Sequence, residues 1–175
     1  MIRKPTLLLF TLMLLCVCVV SMANATLITN GSFEDNSALF VDDGNNTMKL
    51  TPAATELTNW KITGNEIAWI GPTNPYGLTA SDGSYFLDLT SYSPAGSGGV
   101  AQTTAATIIG QSYTLTFDLG GSTAYGAATD IIAKATAGSA TDTFNTVATS
   151  ANFWETFSMS FIADSTSTSI ELTGI

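Results

Sequence analysis

The sequence predicts an all-β protein, a two-sheet antiparallel β-sandwich of jelly-roll type, and three observations predict it. Apolar and polar residues alternate at period two in several runs. Gly, Asn, Asp and Pro punctuate those runs at short intervals. No stretch carries an apolar stripe at helical spacing between caps, because the Ala-rich pieces hold too much Thr, Ser and Gly. Many short strands without intervening helices must bury their apolar faces against one another, which makes two packed sheets.

The elements follow in order. Residues 27–29 read as a first strand. The stretch 36–54 shows no sustained pattern and carries Asp42-Asp43-Gly44-Asn45-Asn46, so a surface loop with a solvated turn is expected there. Strands are expected at 56–63 and 66–70. Trp60 and Ile62 share a face and Trp69 lies in an apolar run, which assigns both indoles to the core. Asp82-Gly83-Ser84 reads as a turn into a strand at 84–90, and another strand follows at 99–104. The clearest alternation is at 111–119, where Tyr113, Leu115, Phe117 and Leu119 alternate with Ser112, Thr114, Thr116 and Asp118. Residues 130–135 and 141–147 are rich in β-branched or aromatic residues. Phe157, Met159 and Phe161, then Ile170 and Leu172, mark two more strands.

Arg3 and Lys4, an apolar run at 7–20 and Ala23-Asn24-Ala25 form the pattern of a secretory signal peptide ending at residue 25. The run is shorter than the roughly 20 residues a membrane-spanning helix needs, so no membrane span is expected in the mature protein. Cys16 follows Leu15 and Cys18 follows Val17, so neither has the small preceding residue of a lipid-attachment site. Residues 26–175 are of a size for one domain. Both cysteines leave with the signal, so no disulfide staples the secreted or cell-surface product. Three lysines, Lys49, Lys61 and Lys134, then face fourteen carboxylates. Such a surface repels phosphate backbones and anionic lipid, which excludes nucleic acid as a partner. Without His or Cys, Ser-His and Cys-His nucleophilic catalysis and the usual zinc ligands are absent. A carboxylate-based glycoside hydrolase would draw on Glu34, Glu56, Glu66, Asp82, Asp88 or Glu155, but no spacing picks out a pair. The expectation is a protein that is not an enzyme.

The opening Leu27-Ile28-Thr29-Asn30-Gly31-Ser32-Phe33-Glu34 resembles the start of galactose-binding-like jelly rolls, among them non-catalytic carbohydrate-binding modules. Five further blocks lie in the right order: Trp60-Lys61-Ile62, Ile67-Ala68-Trp69-Ile70-Gly71, Asp82-Gly83-Ser84-Tyr85-Phe86-Leu87-Asp88-Leu89, Gly99-Val100-Ala101-Gln102-Thr103 and Tyr113-Thr114-Leu115-Thr116-Phe117-Asp118-Leu119. Together they resemble the bacterial choice-of-anchor C proteins, which are akin to the plant cell-wall group called domain of unknown function 642. The resemblance implies that Glu34 ligates a structural calcium with backbone carbonyls and a C-terminal Asp, hard oxygen donors of the kind calcium requires. It also implies a Gly-Pro segment, a closing strand and an anchor beyond Thr168–Leu172. The sequence stops at Ile175, so a domain lacking that strand and anchor is expected, with an unpaired edge near its first strand.

Two functions follow from the resemblance. One is an extracellular module that recognises polysaccharide or a cell-wall or matrix glycan. The other is a structural or adhesive component of the envelope or biofilm matrix. Trp154 and the core-assigned Trp60 and Trp69 have indoles able to stack on sugar, but Tyr76, Tyr92 and Tyr125 sit in Gly-, Pro- and Ser-rich loops, where recognition is usually carried. Those three tyrosines are the expected saccharide platform.

Overall fold

The computed structural model describes residues 27–90, 97–124 and 130–175. The proposed signal peptide, Tyr92 and Tyr125 lie outside them. Ten strands run through the described residues: β1 (Thr47–Leu50), β2 (Lys61–Gly64), β3 (Ile67–Ile70), β4 (Phe86–Asp88), β5 (Gly98–Ala106), β6 (Ser112–Gly121), β7 (Asp130–Ala137), β8 (Ala140–Val147), β9 (Phe153–Ile162) and β10 (Ser167–Gly174). The single helical element among them is a 3-10 turn, Ser37–Leu39. Every pairing is antiparallel. One layer is the five-stranded sheet β2-β5-β10-β7-β8, and the other holds β1-β3-β4 and the pair β6-β9.

The period-two alternation explains how the layers meet. Met48 and Leu50 of β1 and Ile67 and Trp69 of β3 pack on Ile62 of β2 and Val100 of β5. Leu115 of β6 and Met159 and Phe161 of β9 pack on Ala135 and Ala137 of β7 and Ile170 of β10. The two alanines are fully buried, and their small size lets the facing aromatic layer approach closely. Trp69 is fully buried between Phe40 and Tyr85, with ring centroids 5.5 and 5.2 Å away. Trp60 packs on Phe33 at 5.5 Å and donates its indole N–H to the Asn30 carbonyl at 2.8 Å.

Three sequence expectations need correction. Residues 27–29 form no strand: the buried Gln102 amide stands in for a ladder, accepting from the Thr29 N–H at 2.8 Å and donating to its carbonyl at 2.9 Å. The stretch 36–54 is not all loop, because Thr47–Leu50 pairs with Ile67–Ile70 as β1. Thr47, Met48 and Leu50 are buried there, while Lys49 turns out to meet Glu66 at 2.6 Å. The strands expected at 56–63 and 84–90 contract to β2 and β4, since turns occupy their first residues. The acidic turn is as expected: the Asp42 carboxylate accepts the Gly44 and Thr47 N–H groups at 2.8 and 3.2 Å.

Candidate functional site

Side chains on a strand alternate between the two faces. On β4, Leu87 points to the interior while Phe86 and Asp88 point away from it. On β6, Leu115, Phe117 and Leu119 point inward, and Thr116, Asp118 and Gly120 outward. Among the described residues β4 and β6 form no ladder with each other. A cleft of about 1040 Å³ opens between them, with Val100, Ile170 and Leu172 of the opposite sheet at its floor.

An aromatic corner stands at one end of the outer face. Phe86 and Trp154 meet edge to face, 5.8 Å between centroids and 82° between planes, and Tyr76 and Leu78 pack beside them. The loop that carries Tyr76 is held from within. Asn74 donates to the carbonyls of Gly71 and Leu78 at 2.8 and 3.0 Å and accepts the Tyr76 N–H at 3.0 Å. It is also clamped to β9: the Trp154 indole N–H donates to the Thr79 carbonyl at 2.8 Å, and Asn152 bonds the Thr79 N–H and hydroxyl at 3.2 and 2.9 Å. The Tyr76 hydroxyl lies 3.3 Å from the Thr47 hydroxyl. Only a glycine at position 120 allows Trp154 to cross β6 so closely, because a Cβ there would overlap the indole.

Carboxylates extend outward from this corner. Asp88 accepts the Thr90 hydroxyl and N–H at 2.6 and 2.8 Å, and Asp118 accepts the Thr156 hydroxyl at 2.7 Å. Asp82 and Asp130 stand on the cleft lining, which among the described residues includes no Lys or Arg. The result is a fixed aromatic corner beside oriented acceptors, a surface suited to a ring with one apolar face and hydroxyls around its edge.

Of the sequence-proposed residues, Tyr76 lines the cleft. Tyr92 and Tyr125 fall in the undescribed segments 91–96 and 125–129, whose described neighbours Thr90 and Asp130 line it too. Glu34 is elsewhere. One of its carboxylate oxygens accepts the N–H groups of Ser84 and Tyr85, both at 2.7 Å. Gly83 makes this possible with φ 74°, since a Cβ would sit 2.5 Å from that oxygen. Both N–H hydrogens engage this one oxygen of the carboxylate. Among the described residues, no group of three or more acidic side chains gathers to hold a metal. Glu34 caps a turn.

Sequence reasoning missed Phe86, Asp118 and the outward setting of Trp154. A signal for the last existed, since Trp154 shares strand parity with Thr156, Ser158 and Ser160, the polar face of β9.

No curated protein matches the chain. A solved structure described as "CBM4 structure and function" is 15% identical over 83% of this chain and 86% of that chain, with a TM-score of 0.35. The family described as "Protein of unknown function (DUF642)" matches residues 26–174, nearly the whole of the sandwich and its turns, and the chain belongs to that family.

Proposed function

We propose that the protein is an exported, non-catalytic module that binds a polysaccharide on the outer face of β4, β6 and β9. The observation that carries this reading is the Phe86–Trp154–Tyr76 corner set beside Asp88 and Asp118, each held by a threonine. The Arg3-Lys4 start, the apolar run and Ala23-Asn24-Ala25 support export, and Thr90 and Asp130, the described neighbours of the segments that hold Tyr92 and Tyr125, line the same cleft. A glycan array on the purified protein, followed by calorimetric titration of the best hit, tests it. Trp154→Ala and Asp118→Asn should each weaken binding, the first by about 1–3 kcal/mol if the indole stacks on a ring. Unchanged affinity in both variants would move the site off this face.

A second reading, assembly within an envelope or biofilm matrix, is favoured by one observation. Ile108, Ile109 and Ile162 are 69%, 62% and 65% exposed. They share one tip, where Gly110 N–H meets the Ala163 carbonyl at 2.8 Å. Sedimentation velocity of the protein and of a variant with serine at all three positions separates the two readings. Self-association lost in the variant would favour assembly.

A further inference from the structure

The polar groups around the aromatic corner are unevenly spent. Its donors are used inside the protein: the Trp154 indole N–H goes to the Thr79 carbonyl at 2.8 Å, the Asn152 amide to the Thr79 hydroxyl at 2.9 Å, and the Asn74 amide to the carbonyls of Gly71 and Leu78. The hydroxyls of Thr90 and Thr156 are given to one oxygen, Oδ1, of Asp88 and of Asp118. Among the described residues no donor meets the second oxygen of either carboxylate. Both carboxylates flank the rings. Asp88 follows Phe86 on the outer face of β4, and Asp118 is diagonal to Trp154 across the β6–β9 ladder, where Asp118 pairs with Thr156 and Gly120 with Trp154.

Basic residues are kept away from this corner. The loop 71–81, β4, β6 and β9 carry no Lys or Arg, and neither do the segments 91–96 and 125–129. Lys61 alternates with buried Ile62, and Lys134 with buried Ala133 and Ala135, so both point outward from the opposite sheet. Lys49 stands in the row of Asp88, two strands and about 10 Å away, but its ammonium pairs with Glu66 at 2.6 Å. We propose that the glycan taken by this face carries free amino groups, as in a partly or fully deacetylated polymer of amino sugars. The apolar face of a ring packs on Trp154, and ammonium groups donate to the open oxygens of Asp118 and Asp88. An ammonium is all donor and no acceptor, which matches a rim of acceptors whose own donors are spent. An N-acetyl carbonyl in the same place would need a donor that the corner has already used, and a uronate would face two carboxylates. The inference rests on the glycan-binding reading and adds to it the class of sugar.

The test titrates the purified protein calorimetrically with hexamers of β-1,4-linked glucosamine, N-acetylglucosamine and glucose, at slightly acidic pH where the amines are charged. The expected result is tightest binding of the glucosamine hexamer, with an advantage over the other two that shrinks at high salt. Asp118→Asn and Asp88→Asn should each weaken glucosamine binding about tenfold, with a much smaller effect on the glucose hexamer. Asp164→Asn, on the turn at the far end of the β6–β9 pair, should change neither. An equal loss in that variant means attraction to the net charge alone and overturns the proposal. Equal or tighter binding of the N-acetylated or glucose hexamer overturns it as well, as does undiminished glucosamine affinity in both the Asp118 and Asp88 variants. Trp154→Ala should weaken binding of all the hexamers. A neutral or acidic glycan that binds through Trp154 while the glucosamine hexamer does not leaves the glycan-binding reading standing and sinks the amino-sugar inference; if no glycan binds, both fall.

Discussion

Glu34 shows how one side chain can organise two distant segments. Its carboxylate reaches from the opening segment to the turn before β4, and removing it leaves the Ser84 and Tyr85 N–H groups without their acceptor. Glu34→Ala should cost about 1–3 kcal/mol, read as a lower midpoint in thermal or urea melts. The loss should be the same in millimolar calcium and in chelator. A calcium-dependent stabilisation of the wild type that disappears in the variant would assign an ion to Glu34 and refute the turn-cap role. Nothing in the sequence around Glu34 announces its partners, since Ser84 and Tyr85 are fifty residues away in the chain and offer only backbone groups. Trp69 is the opposite case. Its apolar neighbours Ile67 and Ile70 mark it as core, and full burial follows. Trp69→Ala should cost about 3–5 kcal/mol, more than Trp154→Ala, whose indole borders the cleft. Denaturant midpoints of the two variants give the comparison.

Among the elements, β6 was the most legible and β1 the least. β6 has one wet and one apolar face over ten residues, so period two writes its orientation directly into the sequence. Leu115→Ala should cost about 2–5 kcal/mol through lost burial and a cavity, whereas Thr116→Ala on the outer face should stay within about 0.5 kcal/mol. Equal shifts of the unfolding midpoint would mean that the faces are reversed. β1 is four residues long, and its membership in the sheet depends on β3 rather than on its own pattern. The opening segment is harder still to read. Gln102 supplies through its side-chain amide the hydrogen bonds a neighbouring strand would give to Thr29, and a glutamine in a strand carries no mark of that use. Gln102→Leu keeps the bulk, removes the amide, and should expose the Thr29 N–H to fast hydrogen exchange while β5 stays protected.

For the whole molecule, the sequence conveyed the class of fold and the layers, because both rest on alternation repeated along the chain. The cleft was not legible, since it arises where β4 and β6, separated by β5 on the other layer, come alongside without pairing. The order of strands in the five-stranded sheet has a kinetic consequence. β10 lies at its centre, laddered to β5 on one side and β7 on the other. The β2-β5 and β7-β8 pairs cannot join into one sheet until residues 167–174 are available, so the five-stranded layer is completed by its central strand. A chain ending before Ser167 is therefore expected to show no cooperative melt and no near-ultraviolet circular dichroism from its buried aromatic residues, while the full chain gains both in one step.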